Sequence, residues 1–359
     1  MNRVGIKLRI PNPYCLVLLA FTSLGLTACT EVIDLDTGRP RQQLVIFGRV
    51  TDGLAGNEVR VSLTSVEGLE PEPVDNAQVW LIEDGEILAE YTERSPGFYR
   101  LNLPQDSART GRVYHIRVRA PGGSVYESTP TVMPAQVAID SLYFEQGRLE
   151  EVVNEAGITV ERRLANFKVD SEIVNPGQDF FLKWHLIEAY GFQERIRVTP
   201  IPRVPCFITN EISGQQVRLF NGAKLRVPRI IGQPMSRVVI DRKFAFDYYF
   251  SVIQTTIDRD THLYYERLNA VSSTQGSIFD QPPAPLPGNI TNIDDPEEEV
   301  LGYFEVVRAD TSRIRVRNTD LEFRVLLPCP QANFRIEGPE CTECLVLTNS
   351  SLQRPYYWF

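Results

Sequence analysis

"VYHIRVRA", residues 113–120, alternates without a break. Tyr114, Ile116, Val118 and Ala120 fall on one side; Val113, His115, Arg117 and Arg119 fall on the other. A period of two puts successive side chains on opposite faces of a strand, so the segment predicts a strand with one face in a core and one toward water. Its neighbours follow suit. "QLVIFGRV" from Gln43, "NEVRVSLTSV" from Asn57, "AQVWLIEDGEILAEYT" from Ala77, "GFYRLNL" from Gly97 and "SVYESTPTVM" from Ser124 all read as short strands. Turn pairs separate them: Asp52-Gly53, Asp84-Gly85, Pro96-Gly97 and Gly122-Gly123. Six or seven such strands over residues 43–134 predict an immunoglobulin-like or transthyretin-like β-sandwich, although the Cys–Trp–Cys pattern of antibody domains is missing.

A boundary is expected at Met133-Pro134-Ala135. Residues 135–359 then form a larger, β-rich second domain. "RRLANFKVDSEI", "DFFLKWHLIEAYGF" and "SRVVIDRKFAFDYYFSVIQTTI" are rich in branched and aromatic residues that favour strands. One helix is expected, at about 258–275. Asp258 or Asp260 can cap it, Leu263, Tyr264, Arg267, Leu268 and Val271 recur at three-and-four spacing, and Gly276 suits its end. A proline-rich loop follows at about 277–299, a length that usually signals function or tight packing onto the body. No repeat with a period of 20–50 residues is present. The fold class is therefore mainly β: an N-terminal sandwich plus a larger β domain carrying one helix.

The N-terminus indicates the compartment. Arg3, Lys7 and Arg9 precede a mostly apolar stretch from Tyr14 to Leu26 that ends in Leu26-Thr27-Ala28-Cys29. Small residues followed at once by cysteine form a lipobox, so residues 1–28 are read as a lipoprotein signal peptide, Cys29 as the lipidated residue and 29–42 as a tether. Two or more acyl chains hold a protein stably on a membrane. Loss of the three basic residues takes the net charge from −9 to about −12, which argues against nucleic acid as a partner. Glu31, Asp34 and Asp36 lie just beyond the cysteine. They resemble a surface-export signal of Bacteroidetes-type bacteria, and serve equally as a solvated tether.

Cys206, Cys329, Cys341 and Cys344 remain. An even number in an oxidising compartment predicts disulfides, with three possible connectivities. The Cys341-x-x-Cys344 spacing alone would also suit zinc or a redox dithiol. Zinc lacks a second CxxC, and a redox site lacks the strand-to-helix setting that lowers a thiol pKa. A short strand is expected at Leu345-Val346-Leu347.

Catalytic patterns are missing. His115, His185 and His262 lie in separate segments, without HxH or HExxH spacing, and no GxSxG, Walker or dinucleotide motif occurs. The acidic run from Asp294 to Glu299 lacks the spacing of a calcium loop. No catalytic residue, metal or cofactor is expected. Aromatics gather at "FAFDYYF" (244–250), at Tyr264-Tyr265 and at Tyr356-Tyr357-Trp358-Phe359. Packing suits the first. Tyr264, Tyr265, Phe279 and Asp280, with Tyr356, Tyr357 and Trp358, are the candidates for a partner or ligand surface.

Taken together, "EVIDLD", "NAQVWLIEDG", "YHIRVRAPGG", "GSIFDQPP…GNI…LGYF" and the ending "CTECLVLTNSSLQRPYYWF" resemble the Bacteroidetes lipoproteins of domain-of-unknown-function family 4249. The ending Arg354-Pro355-Tyr356-Tyr357-Trp358-Phe359 departs from that family's more usual Lys-Pro-x-Phe-Trp. The resemblance implies a lipid-anchored outer-membrane protein, facing the cell surface, whose partner is a TonB-dependent (SusC-like) receptor in nutrient uptake. It implies no catalytic residues. Two other roles stand beside it: a structural or assembly subunit of an outer-membrane complex with no ligand of its own, and a secreted-type hydrolase or protease inhibitor, which the lack of catalytic motifs disfavours.

Overall fold

Tyr114, Ile116 and Val118 lie in the core, as their period demands. The structure, a computed structural model, describes residues 42–359 apart from 54–55, 66–69, 105–107, 154–155, 174, 195–204, 213, 215, 224, 274–285, 330–337 and 359. The protein is mainly β. The first half holds β1 (Leu44–Thr51), β2 (Glu58–Leu63), β3 (Glu72–Pro73), β4 (Gln78–Glu83), β5 (Glu86–Glu90), β6 (Thr92–Ser95), β7 (Phe98–Arg100), β8 (Val113–Arg119), β9 (Val125–Ser128) and β10 (Thr131–Val132). The second half opens with the long β11 (Val137–Val153) and β12 (Thr159–Ile173), then β13 (Phe181–Gln193), β14 (Pro205–Glu211), β15 (Arg218–Asn221), β16 (Arg229–Val239) and β17 (Tyr248–Ile257). Helix α1 (Arg259–Ser273) follows, then β18 (Ile290–Asn292), β19 (Phe304–Val316) and β20 (Ser350–Ser351).

Asp258 starts the helix where expected: its Oδ1 accepts from the backbone N–H of Asp260 at 2.8 Å and of Thr261 at 3.1 Å. Gly276 lies outside the described residues. The short strand expected at Leu345–Leu347 does not form. Cys344–Val346 is a turn of 3₁₀-helix, as is Pro339–Cys341. The backbone there coils tightly between disulfides rather than extending.

One sheet of eleven strands organises the chain, in the order β20-β14-β13-β17-β19-β1-β2-β7-β6, with β15 beside β13 and β3 beside β2. Its inner face is covered by two smaller sheets. The six-stranded sheet β18-β9-β8-β4-β5, with β10, encloses a core of Ile46, Val59, Val79, Leu81, Tyr99, Tyr114 and Phe304. The three-stranded sheet β11-β12-β16 encloses a second core of Phe167, Leu182, Trp184, Met235, Phe250 and Val252. Phe167 stacks on Phe250 with ring centroids 4.0 Å apart. Most aromatics of 244–250 are core, as their alternation suggests: Phe244, Tyr248 and Phe250 belong to the second core, while Tyr249 is turned to the other face, against Tyr357 and Trp358.

β19 joins the two halves. Its start runs parallel to β1, with Gly48 opposite Phe304 and Thr51 opposite Val307. Its remainder runs antiparallel to β17, from Arg308 opposite Thr256 to Val316 opposite Tyr248. The residues just before it make the approach possible. The Ile46 N–H donates to the Leu301 carbonyl at 2.9 Å, and the Gly48 N–H to that of Tyr303 at 3.0 Å. Between them Gly302 has φ +101°, and a Cβ there would lie 2.1 Å from the Ile46 carbonyl oxygen.

Gly302→Ala combines a left-handed backbone with that clash. It is expected to destabilise the protein by at least about 1–3 kcal/mol, read as a lowered midpoint in chemical denaturation. An unchanged midpoint would show that the β1–β19 junction is not held as described.

Candidate functional site

The outer face of the large sheet is where its polar side chains collect. Odd-numbered residues of β19 (Glu305, Val307, Ala309, Thr311, Arg313) point outward, because their even-numbered neighbours Phe304 and Val306 belong to the first core. Register places Lys183 of β13 beside Thr255 of β17, and Thr255 beside Ala309. It also places Arg49 of β1 beside Glu305, Glu58 of β2 beside Arg49, and Arg100 of β7 beside Glu58.

Three things happen along this face. At one end lies an apolar patch of Phe181, Ile257 and Val307, where His262 of α1 tilts against the Phe181 ring with centroids 4.9 Å apart. At the other end the C-terminal tail lies down. Trp358 packs on Phe207 at 5.0 Å and Tyr249 at 4.6 Å, and the Arg313 guanidinium sits 3.5 Å from the Tyr357 ring centroid. Gly191 leaves room for the indole, since a Cβ there would stand 3.2 Å from Trp358. Between helix and tail, a cleft of about 710 Å³ stays open.

Its floor is Ile253, Thr255, Val307 and Ala309; its walls carry Arg49, Glu58, Arg100, His185, Glu211 and Arg218. At its base sits a compact charged cluster. The Lys183 ammonium donates to Glu305 and lies 4.4 Å from the Tyr265 ring centroid, while the Tyr265 hydroxyl donates to the other Glu305 oxygen. Lys183 and Glu305 side chains are 14% and 9% exposed, so the pair is nearly desolvated and each charge needs the other. Burial first, and then the Glu305 charge, push the Tyr265 phenol far above its ordinary pKa, so it remains a donor. The cluster ties β13, β19 and α1 together under the cleft. Gln216 and Val217, just before β15, border the opening, where the Asn269 side chain exchanges two hydrogen bonds of 2.8 Å with the Val217 backbone.

The predicted surface residues divide. Tyr265 enters the cleft. Tyr264 is buried against Tyr303, with centroids 4.4 Å apart and its pKa pushed up by burial to about 12. Tyr356 is 90% exposed, whereas Tyr357 and Trp358 are half-buried on the sheet. Cys29, Phe279 and Asp280 lie outside the described residues.

The cysteines pair as Cys206–Cys344 and Cys329–Cys341. Both disulfides sit in a small apolar cluster with Phe192 and Ile208. The first bridges β14 to the tail across a sequence separation of 138 residues, and the second closes a loop of 12. Among the described residues no group of three or more His, Cys, Asp or Glu side chains could hold a metal ion. The acidic run is instead engaged locally: Asp294 accepts from the Val125 N–H at 3.0 Å, and Glu298 from the Tyr126 hydroxyl at 3.3 Å.

Sequence reasoning missed the cleft's charged residues. The one available signal was a charge inside an apolar run: Lys183 in "FLKWHL" and Glu305 in "GYFEVV". The passage containing "GNI…LGYF" proves to be architectural. Asn289 bonds both the N–H and the carbonyl of Phe304, at 2.8 and 2.9 Å. A Cβ on Gly288 would lie 1.7 Å from the Gly302 carbonyl oxygen.

A family model, domain of unknown function DUF4249, matches residues 30–313. That is most of the chain, and the protein belongs to this family. No curated protein matches it. Among the described residues no helix is long and apolar enough to cross a membrane.

Two measurements test this geometry. Peptide mapping without reduction should return the Cys206–Cys344 and Cys329–Cys341 pairs, and the double change Cys206→Ser with Cys344→Ser should cost about 2–5 kcal/mol in denaturant unfolding. The second concerns alkali. A tyrosine whose folded pKa is raised keeps its proton when the unfolded chain, at the ordinary value of 10.0, gives it up. The unfolded state then binds fewer protons, so stability is full below pH 10 and falls above it, by up to about 1.4 kcal/mol per pH unit for Tyr265. Tyr265→Phe should flatten the decline measured between pH 10 and 11.5. An identical slope in the variant would contradict the buried phenol.

Proposed function

Taking membership of that family as the premise, we propose that the protein is a lipid-anchored component of the outer membrane. It faces the cell surface and captures a small ligand for a neighbouring TonB-dependent transporter. The observation that carries the ligand half is the cleft. It is concave, of small-molecule size, floored by apolar side chains and rimmed by convergent polar ones. It sits on a rigid sheet, braced by the Lys183–Glu305–Tyr265 cluster below and the Asn269–Val217 clasp above. The lipobox ending at Cys29 supports the anchor, and the two disulfides suit an oxidising compartment. The immunoglobulin-like reading of residues 43–134 belongs to this proposal, as the part that supplies Arg49, Glu58 and Arg100 to one side of the cleft.

A second reading, an assembly subunit without a ligand, draws on one observation. Large apolar side chains stand exposed along the C-terminal segment, among them Leu326 at 78%, Leu352 at 51% and Tyr356 at 90%. A partner docked there needs no cleft.

Cys29→Ala should move the protein from the membrane fraction to the soluble one. Extraction in mild detergent followed by affinity purification should bring a TonB-dependent transporter down with the wild type. Persistent membrane attachment of the variant, or recovery of other machinery in place of a transporter, would overturn the proposal.

A further inference from the structure

We propose that the cleft takes a small organic anion, one carboxylate or phosphate group on an apolar body. This rests on the ligand-capturing reading above and adds the charge and shape of what is captured. The chain as a whole is acidic, with a formal net charge of −9, yet guanidinium groups gather at this opening. On one wall Glu58 stands in register with both Arg49 and Arg100, one carboxylate between two guanidiniums. Arg49 is held in place, its Nε donating to the Gly56 carbonyl at 2.9 Å and its Nη2 lying 3.8 Å from Glu58. On the opposite wall Arg218 has no ion pair among the described residues, and neither has Arg100.

The carboxylates nearby do not cancel this surplus. Glu305 is saturated by Lys183 and Tyr265 at the base. Glu211 stays at the rim, 68% exposed, 3.5 Å from His185. Glu58 offsets Arg49, which leaves Arg100 and Arg218 as the guanidiniums without an ion pair among the described lining residues; an anion meets planar donors that fit carboxylate or phosphate two bonds at a time. The low-dielectric floor of Ile253, Val307 and Ala309 focuses their field and receives the apolar remainder of the molecule. The volume of about 710 Å³ suits a molecule of tens of atoms rather than a polymer.

The test uses the full chain in detergent and three probes that share one ring: benzoate, phenyl phosphate and benzamidine, the cationic shape-mimic of benzoate. Equilibrium dialysis should show at least one of the two anions binding about tenfold or more tightly than benzamidine, with an affinity that drops as salt rises. The better of the two anions identifies the head group. Arg100→Ala and Arg218→Ala should each weaken that binding by about tenfold, while Arg94→Ala, on the exposed β6, leaves it unchanged. Equal binding of benzamidine, or anion binding untouched in both cleft variants with unaltered thermal melting, would sink the anion assignment while leaving ligand capture standing. Failure of all three probes overturns this inference. Transporter co-purification, measured separately, then decides whether the broader reading survives.

Discussion

Thirteen residues, Phe304 to Val316, make the two halves one molecule. The first few lie parallel to β1 and the rest antiparallel to β17, so a single strand supplies Phe304 and Val306 to one core and Val316 to the other. Pairing β1 with residues some 250 positions away requires closing a very large loop, an entropic cost that grows only logarithmically with length. The offset is local and apolar: those inner side chains leave water almost completely. Gly288 and Gly302 exist in this scheme because two backbones must come closer than any Cβ permits.

Everything of chemical interest then follows from having one face of a large sheet filled and the other free. The inner face is closed by two smaller sheets. The outer face is closed piecemeal, by a helix at one end and a disulfide-pinned tail at the other. The open middle is a strip of strand side chains from β1, β2, β7, β13, β14, β15, β17 and β19, which no single segment owns. Rigidity comes from the sheet, and polarity from the odd-numbered residues that the sheet's own alternation turns outward.

How much of this the chain announces depends on range. Period-two alternation in 113–120 and its neighbours is a local signal, and it predicted strands that form. The same alternation placed Phe244, Tyr248 and Phe250 in the core. Asp258 marked the helix start because capping is local too. The disulfide pairing is a long-range matter, with three arithmetic solutions, and only the fold brings Cys206 of β14 to Cys344. "LVL" looked like a strand because its residues favour extension, but the flanking cysteines hold the backbone in 3₁₀ turns. Tyr264 and Tyr265 carry the same sequence signal, two adjacent aromatics. Adjacent helix positions point about 100° apart, and one faces Tyr303 while the other reaches the cleft. The cleft itself was invisible for the same reason: Arg49, Arg100, Lys183 and Arg218 come from four strands spread over 170 positions.

The late position of β19 also sets a timetable for biosynthesis. A ribosome delivers β1 and β2 early, yet the first core lacks Ile290, Phe304 and Val306 until most of the message has been read. Domain-by-domain folding from the N-terminus, the usual order for a long chain, would leave the first core short of those side chains. Until β19 arrives, β1 has one edge without its parallel partner. A chain built this way depends on being kept from its neighbours during synthesis, and its surplus of negative charge is one intrinsic means of doing so.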